Sequence, residues 1–273
     1  MRKILSLLLA AAISAPVLAS AGDVLYGGSS TLAETILQGG IIRGFQGKTG
    51  IKVQLADVSG TGKGLKSLAE GKLQVVGSGR TLNAEEKKIG LLGTIVGYDG
   101  LAVFVNRANP VKDLSKEQLK DLFTGKVKSW KELGGKDVKI VPMIEPVASK
   151  RATVQAVQEL VLDGAPFVTG VKELESLKDQ LAEVAKAEGG ICIASIGFIQ
   201  SVAPAVRDAV KSISLDATPP SDPNIRSGAY LLSRPMLLVT KGLPGGDVKS
   251  FVDYVLSSEG QAVVEKFFVA VKK

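Results

Sequence analysis

The stretch Val24-Leu25-Tyr26-Gly27-Gly28-Ser29-Ser30-Thr31 decides the fold class. Its apolar start predicts a short buried strand, its glycines predict a tight turn, and its hydroxyl residues are typical of a helix start. A helix is predicted to follow from Thr31 to Gln46, with the Gly39-Gly40 pair as its weak point. A strand that enters a helix through a Gly-rich turn is typical of α/β proteins, so we predict an α/β fold.

The alternation of short apolar runs with helical patterns continues along the chain, and no internal repeat interrupts it. Helix caps are predicted at Asn83 and at Ser115, the latter with Gln118 as its capping-box partner. Strands are predicted on both sides of Asp99-Gly100, a pair that is typical of a turn. In this interpretation the Asp99 carboxylate forms the turn and does not contact a ligand.

Composition excludes several kinds of catalytic and metal site. The 273 residues contain one Cys and no His. Without His there is no Ser–His or Cys–His nucleophilic pair, and a single Cys cannot form an intramolecular disulfide or a cysteine-ligated cluster. Aromatic residues make up 5% of the chain, too few for the stacking platforms that bind nucleic acid. We therefore expect no enzyme, no metal, no cofactor and no nucleic-acid partner, and the net charge of +7 favours anions.

Residues 1–21 have the pattern of a secretory signal peptide. Arg2 and Lys3 form a basic start, residues 4–18 are almost wholly apolar, and Ala19-Ser20-Ala21 offers small residues for cleavage. The alternative is an N-terminal membrane anchor, which needs a longer apolar run. Cys192 is the only cysteine, so no lipidated cysteine follows the signal. We expect a soluble periplasmic protein.

Three segments rich in glycine and hydroxyl residues stand at predicted strand-to-helix junctions. They are Gly28-Ser29-Ser30-Thr31, residues 59–64 and Ala148-Ser149-Lys150. Such loops place backbone N–H groups and hydroxyls at helix N-termini, where the positive end of the helix dipole attracts anions. The alternative for each loop is an ordinary helix cap. Three such loops in one chain favour an oxyanion site.

Arg80, in Gly77-Ser78-Gly79-Arg80, is the best cationic candidate for such a site. It follows a short predicted strand in a Gly-flanked turn, and a guanidinium can form two parallel hydrogen bonds to an oxyanion. The alternative is a salt bridge, at the surface or between lobes. Lys63 and Lys150 are similar candidates that we expect to be more exposed.

Several sequence blocks carry a family resemblance. They are Tyr98–Val103, Val105-Asn106, Asn109-Pro110, Leu114-Ser115, Phe123–Lys126, Ser129–Gly135, Tyr230–Pro235, Phe251–Ser257 and Glu259–Gln261. Together they resemble the periplasmic phosphate-binding proteins of ABC importers. The resemblance implies a type II periplasmic-binding-protein fold, in which two lobes, each a mixed sheet flanked by helices, are joined by a two-strand hinge. Lobe one is expected at 22–101 plus 237–273, and lobe two at 102–236.

The same resemblance implies where the ligand contacts lie. They are expected from hydroxyls and backbone amides of two loops in lobe one and one loop in lobe two, with Arg80 beside them. The loop residues at these positions are Ser29, Ser30, Thr31, Gly60, Thr61, Gly62, Ser149 and Lys150.

Two departures from the family pattern concern charge. Similar members have Arg-x-x-x-Ser-Gly-Thr in lobe two, where this chain has Ile144 at the arginine position and Ala148-Ser149-Lys150 at the last three. Some members have an aspartate where Arg80 stands, and that carboxylate accepts a proton from the bound anion, which selects protonated phosphate over sulfate. With this register we expect the substitution Ile144→Arg to strengthen phosphate binding.

The resemblance implies a monomeric solute-binding protein. It would capture phosphate or a related tetrahedral oxyanion between its lobes and deliver the anion to the membrane permease of an ABC importer. One alternative is a sensor or accessory protein of the same fold with altered or weak anion binding. A secreted phosphoesterase is the enzymatic alternative, and the absence of His and of carboxylate clusters counts against it.

Overall fold

The computed structural model describes residues 22–149 and 151–271. The predicted signal peptide and Lys150 lie outside the described residues. The described part is a mixed α/β fold, as the sequence predicts. Its strands are β1 (Asp23–Gly28), β2 (Lys52–Leu55), β3 (Val75–Ser78), β4 (Leu91–Asn106), β5 (Asp113–Leu114), β6 (Val141–Ile144), β7 (Lys172–Glu173), β8 (Gly190–Ser195), β9 (Val210–Leu215), β10 (Ser233–Lys241) and β11 (Val269–Ala270).

The helices lie between these strands and after them. They are α1 (Ser30–Leu32), α2 (Ile42–Thr49), α3 (Thr61–Ala69), α4 (Ala84–Lys88), α5 (Lys116–Thr124), α6 (Ala152–Leu160), α7 (Leu177–Lys186), α8 (Pro204–Ala209), α9 (Asp222–Ser227), α10 (Gly246–Leu256) and α11 (Ser258–Val264). The remaining helical segments of the described part are three short 3-10 segments, Trp130–Leu133, Val147–Ser149 and Ile196–Ser201, and one π-helical stretch, Ala33–Ile41. Within it, no helix has the length and apolar character that crossing a membrane requires.

The strands form two groups, and the first of them gathers segments from both ends of the chain. β1 lies between β2 and β3 and is parallel to both. β10 pairs with β3 on one side and with β4 on the other, antiparallel in both cases. The apolar cluster of this strand group includes Tyr26, Phe45 and Phe251, which are fully buried. This group therefore has a core of its own.

The second group shares β4 with the first. From Leu91 to Gly100 this strand pairs with β10, and from Leu101 to Asn106 it pairs with β8 and β9. β6 is parallel to β8 and β7 is parallel to β6. A separate apolar cluster around Trp130 lies on this group. The change of partner after Gly100 lies next to the predicted lobe boundary at 101/102, and the boundary itself stays a prediction.

The first helical segment differs from a regular α-helix. From α1 it continues through a π-helical stretch, Ala33–Ile41, into α2, and Gly40 has a φ of 146° inside this stretch. Glycine adopts such an angle freely because it lacks a Cβ. The weak point predicted at Gly39-Gly40 is therefore confirmed.

The predicted turn at Asp99-Gly100 is wrong. β4 runs without a break through both residues, because Arg234 and Ser233 of β10 lie opposite them and hold them extended. The helix caps predicted from sequence are confirmed, since Asn83 and Ser115 both form capping boxes.

Candidate functional site

A small cavity lies where three helices begin. The first residues of α1, α3 and α6 form its walls, with one side chain from β10 and one that follows β6. The lining residues are Ser29, Ser30, Thr31, Gly60, Thr61, Glu145, Arg151, Ala152, Thr153 and Arg234. The first N–H groups of a helix have no acceptor inside the helix, and the dipole makes this end positive. Three such ends around one cavity form a place for an anion.

The loop after β1 is held by its glycine and its cap. Gly28 has a φ of +94°, and a Cβ there would lie 2.5 Å from the carbonyl oxygen of Gly77, so no larger residue fits. Ser29 follows, and its Oγ accepts a hydrogen bond from the N–H of Leu32 at 3.3 Å. This cap fixes the first turn of α1, and the next two residues, Ser30 and Thr31, line the cavity.

The start of α3 is the second part of this wall. Gly60 has a φ of +127°, and no side chain caps the helix that follows it. Thr61 is buried, and its Oγ1 accepts a hydrogen bond from the N–H of Gly79 at 3.2 Å. Because a hydroxyl both accepts and donates, its proton remains available for a ligand oxygen. This wall offers hydroxyls and backbone N–H groups and carries no charge.

The opposite wall carries charges. Glu145, 4% exposed, accepts a hydrogen bond from Nη1 of Arg151 at 2.8 Å. Arg151 also contacts Glu175 and precedes α6, which no side chain caps. The buried Nε of Arg151 has no hydrogen-bond partner among the described residues. This wall therefore combines a helix N-terminus with an ion pair.

A second ion pair lies beside the cavity. Arg234, 6% exposed, donates from Nε and Nη2 to Oδ2 of Asp99 at 3.0 and 2.9 Å. The other oxygen of Asp99 accepts a hydrogen bond from Oγ of Ser195 at 2.8 Å. Burial raises the pKa of Asp99, and Arg234 and Ser195 oppose that rise. Nη1 of Arg234 lies 3.4 Å from Oγ1 of Thr153, so this arginine connects the start of α6 to Asp99 of β4.

The structure brings together most of the ligand residues predicted in lobe one. The predicted residues that line the cavity are Ser29, Ser30, Thr31, Gly60 and Thr61. Gly62 is exposed and lies outside the lining. Ser149 also lies outside it, and its Oγ donates to the carbonyl oxygen of Pro146 at 2.6 Å. Lys150 is outside the described residues.

Arg80 has a different environment from the one expected. Its Nη1 and Nη2 donate to the carboxylate of Glu86 at 2.9 and 2.8 Å, and its Nε donates to Oε1 of Gln155 at 3.3 Å. The hydrogen bonds to Glu86 raise the pKa of Arg80, so the group stays charged. The structure thus shows the salt bridge that is the alternative for Arg80, because Glu86 occupies both ends of its guanidinium.

The expectation for Ile144 is also corrected. This residue is fully buried in the apolar cluster of the second strand group, whereas the next residue, Glu145, lines the cavity. Neighbouring residues along a strand point to opposite faces. We therefore expect an arginine introduced by Ile144→Arg to meet the apolar cluster and not the cavity.

Reasoning from the sequence missed the charged residues of the site. Asp99 and Arg234 are 135 positions apart, so no local pattern connects them. Arg234 lies in Tyr230–Pro235, one of the blocks that carry the family resemblance. Its place in that block is the sequence feature that could have identified it as a site residue. Glu145 and Arg151 lie on either side of Ala148-Ser149-Lys150. The hydroxyl pattern of that segment indicated Ser149 as the ligand residue and gave no signal for the two charged residues.

Comparison with known proteins decides the family. The model of the PBP superfamily domain matches residues 11–259. The chain belongs to the PBP superfamily. This PBP-superfamily protein is 35% identical to the phosphate-binding protein PstS of Bacillus subtilis over 207 residues, which are 74% of this chain and 65% of that relative. The chain thus spans slightly less than two thirds of that relative's length.

For two further proteins that resemble this PBP-superfamily protein, the match covers a larger share of their length. The phosphate-binding protein PstS of Staphylococcus saprophyticus is 30% identical over 230 residues, which are 79% of this chain and 70% of the relative. A solved structure from Clostridium perfringens, described as a phosphate ABC transporter substrate-binding protein with bound phosphate, matches with a TM-score of 0.76. It is 29% identical, and the match covers 92% of this chain and 100% of that chain. The predicted type II periplasmic-binding-protein fold is confirmed.

Proposed function

We propose that this protein captures inorganic phosphate, or a related tetrahedral oxyanion, in the cavity and delivers it to the membrane permease of an ABC importer. The observation that carries the proposal is the meeting of three helix N-termini beside the buried guanidinium of Arg234. Backbone N–H groups, hydroxyls and a fixed cation are the donors that a tetrahedral oxyanion needs. The names of the PstS relatives support phosphate as the anion.

The charges that line the cavity are nearly balanced. Arg151 faces Glu145, and Arg234 faces Asp99. The affinity for the anion therefore comes from oriented hydrogen-bond donors and helix dipoles more than from net charge. This balance lets the cavity hold an anion without a large excess of buried positive charge.

Glu145 gives the cavity a basis for selecting the anion. A carboxylate can accept a hydrogen bond from an anion that carries a proton, and it repels one that carries none. Phosphate keeps a proton near neutral pH, whereas sulfate is fully ionised. We therefore infer that the cavity binds phosphate in preference to sulfate.

Binding requires the two walls to separate. The cavity measures about 10 Å³, close to the space that a single water needs, and a tetrahedral oxyanion is larger. Contacts that join the part at 22–101 to the part at 102–236 include Arg80 with Gln155, and Lys178 with Glu34 at 3.6 Å. We infer that the parts at 22–101 plus 237–273 and at 102–236 act as two lobes that open to admit the anion and close around it.

We infer from the sequence pattern of residues 1–21 that the protein is exported through a cleavable signal and works in the periplasm. A monomeric state remains the expectation from the family resemblance. The relatives are named as binding proteins, which supports a binding role without catalysis.

A sensor or accessory protein with weak anion binding is the second candidate. The balanced charges favour it, together with the absence of an arginine at Ile144. Uptake of radiolabelled phosphate by cells with and without the protein separates the two candidates. A loss of uptake in the deletion strain supports transport, and unchanged uptake together with measurable phosphate binding favours the sensor.

Calorimetric titration of the purified protein with phosphate, and then with sulfate, tests binding itself. The expected result is saturable one-to-one binding of phosphate with clearly weaker sulfate binding. A titration in which phosphate gives no saturable heat would overturn the proposal.

A further inference from the structure

A second cavity, here named the edge pocket, lies at the edge of the second strand group. It measures about 460 Å³, a volume typical of small-molecule sites. It lies between the turn after α5, the start of β6 and the segment before β7. Its apolar lining consists of Leu122, Val127, Ile140, Val141, Pro142 and Val168. None of these residues lines the oxyanion cavity, so the edge pocket is a separate feature.

Three lysines stand on the rim of the edge pocket: Lys128, Lys139 and Lys172. Lys172 is paired with Glu183. Among the described residues, neither Lys128 nor Lys139 has a side-chain salt bridge, and both are exposed. Glu132, the acid closest to Lys128 along the chain, accepts hydrogen bonds from two backbone N–H groups. Backbone hydrogen bonds, and then the charge of Lys128, lower the pKa of Glu132, so the Lys128 ammonium lies near this carboxylate. Both lysines are exposed, so their ammonium groups can also reach an anionic ligand.

The position of the edge pocket in the sheet favours a small molecule over another protein strand. β7 covers β6 only at Met143 and Ile144, so no described strand lies beside Val141 and Pro142 on that side. Proline has no backbone N–H and cannot take part fully in strand pairing at an edge. The open edge is therefore poorly suited to receive a further strand, while its apolar surface remains accessible.

We propose that the edge pocket binds a small monocarboxylate with an apolar body, of the class of medium-chain fatty acids. Its carboxylate contacts the ammonium groups of Lys128 and Lys139, and its chain lies on the apolar lining. Charge complementarity selects an anion, and the apolar lining selects one with a hydrocarbon body over an inorganic oxyanion. The chemistry of the edge pocket thus differs from that of the oxyanion cavity, which offers hydroxyls and helix N-termini.

Calorimetric titration with octanoate tests the proposal. The wild-type protein should bind octanoate saturably, and Lys139→Gln or Lys128→Gln should weaken binding at least fivefold. Lys87→Gln, at an exposed lysine of α4, is the matched control and should leave octanoate affinity unchanged. These positions are exposed, so the variants should keep the fold, and circular dichroism checks this.

Two further titrations separate the edge pocket from the oxyanion cavity. Saturating phosphate should leave octanoate affinity unchanged, and octylamine, which carries the opposite charge, should not bind. The proposal is overturned if octanoate gives no saturable binding, if the Lys128→Gln/Lys139→Gln double variant binds it as tightly as the wild type, or if phosphate competes with it. Failure of phosphate binding alone would count against the oxyanion cavity and leave the edge pocket standing.

Discussion

The two walls of the oxyanion cavity are built from different chemistry. The wall of lobe one consists of hydroxyls and backbone N–H groups from two Gly-containing loops at Ser29–Thr31 and Gly60-Thr61, and it carries no charge. The opposite wall holds Glu145 and Arg151 as an ion pair in front of the start of α6. The neutral wall therefore supplies donors for any oxyanion, whereas the charged wall supplies the means to distinguish one anion from another.

The two walls are also held in place in different ways. The neutral wall is fixed locally, since the glycines and the Ser29 cap act within a few residues. The charged wall is fixed from a distance, because Arg234 of β10 reaches Thr153 while it is paired with Asp99 of β4. Removing the Asp99–Arg234 pair should therefore destabilise the whole fold, whereas changes in the neutral wall should mainly weaken ligand binding.

The largest effect is expected from Asp99→Ala. This change leaves the buried Arg234 without its carboxylate, and loss of one partner of a buried ion pair costs about 3–5 kcal/mol of the free energy of unfolding. Urea unfolding measures the loss. Asp253→Ala, in the exposed pair with Lys249, is the control and should cost about 0.5 kcal/mol or less. Equal losses in the two variants would show that the buried pair does not hold the charged wall in place.

The next largest effect is expected from Thr61→Val in the neutral wall. The change keeps the shape of the side chain and removes its hydroxyl, and a hydrogen bond to a charged group contributes about 1.5–3 kcal/mol. Phosphate affinity measured by calorimetry should therefore fall at least tenfold. Thr81→Val, at an exposed threonine, is the matched control and should leave the affinity unchanged. A Thr61→Val protein that is folded and binds phosphate as tightly as the wild type would place the anion elsewhere.

A change in selectivity is expected from Glu145→Gln in the charged wall. The amide cannot repel a fully ionised anion, and its N–H group can donate to it. The preference for phosphate over sulfate should fall at least fivefold in paired titrations, chiefly because sulfate binds better. Glu175→Gln changes the other acidic partner of Arg151, which is 80% exposed, and should keep the preference. An unchanged preference in the Glu145→Gln protein would remove the proposed basis of selectivity.

The smallest effect is expected from Arg80→Ala. The guanidinium is already held by Glu86 and lies outside the cavity lining, so phosphate affinity should change less than twofold. The free energy of unfolding should fall by about 1 kcal/mol, as for a modest ion pair near the surface. Lys63→Ala is the comparison variant and should behave similarly in the phosphate titration. A tenfold loss of affinity in the Arg80→Ala protein alone would restore this arginine to the site.

The sequence predicts the neutral wall far better than the charged one, and the reason is physical. A Gly-rich turn, a hydroxyl cap and a helix start act over a few residues, so the loop at Gly28–Thr31 can be identified from a short window. The α/β fold and the caps at Asn83 and Ser115 follow from the same local rules. Periodicity and capping are properties of neighbouring residues.

The charged residues depend on contacts that a short window does not contain. The pair Asp99-Gly100 is typical of a turn, but pairing with β10, which only the fold reveals, keeps it extended. Arg80 is typical of an anion ligand until Glu86, six positions later, is seen to bind it. The family pattern predicts that residue 144 contacts the ligand. In the structure the side chain of Ile144 is buried on the other side, and the next residue, Glu145, lines the cavity. In each case the environment of the folded side chain, and not the residue type, decides its role.

The measurement that tests the central claim most directly is anomalous diffraction from crystals of the protein grown with arsenate, a tetrahedral oxyanion whose heavy atom can be located. One strong peak is expected in the cavity, between the N-terminus of α3 at Thr61 and that of α6 at Ala152, close to Arg234. A cavity without a peak, or a strong peak beside Arg80 or in the edge pocket, would contradict it.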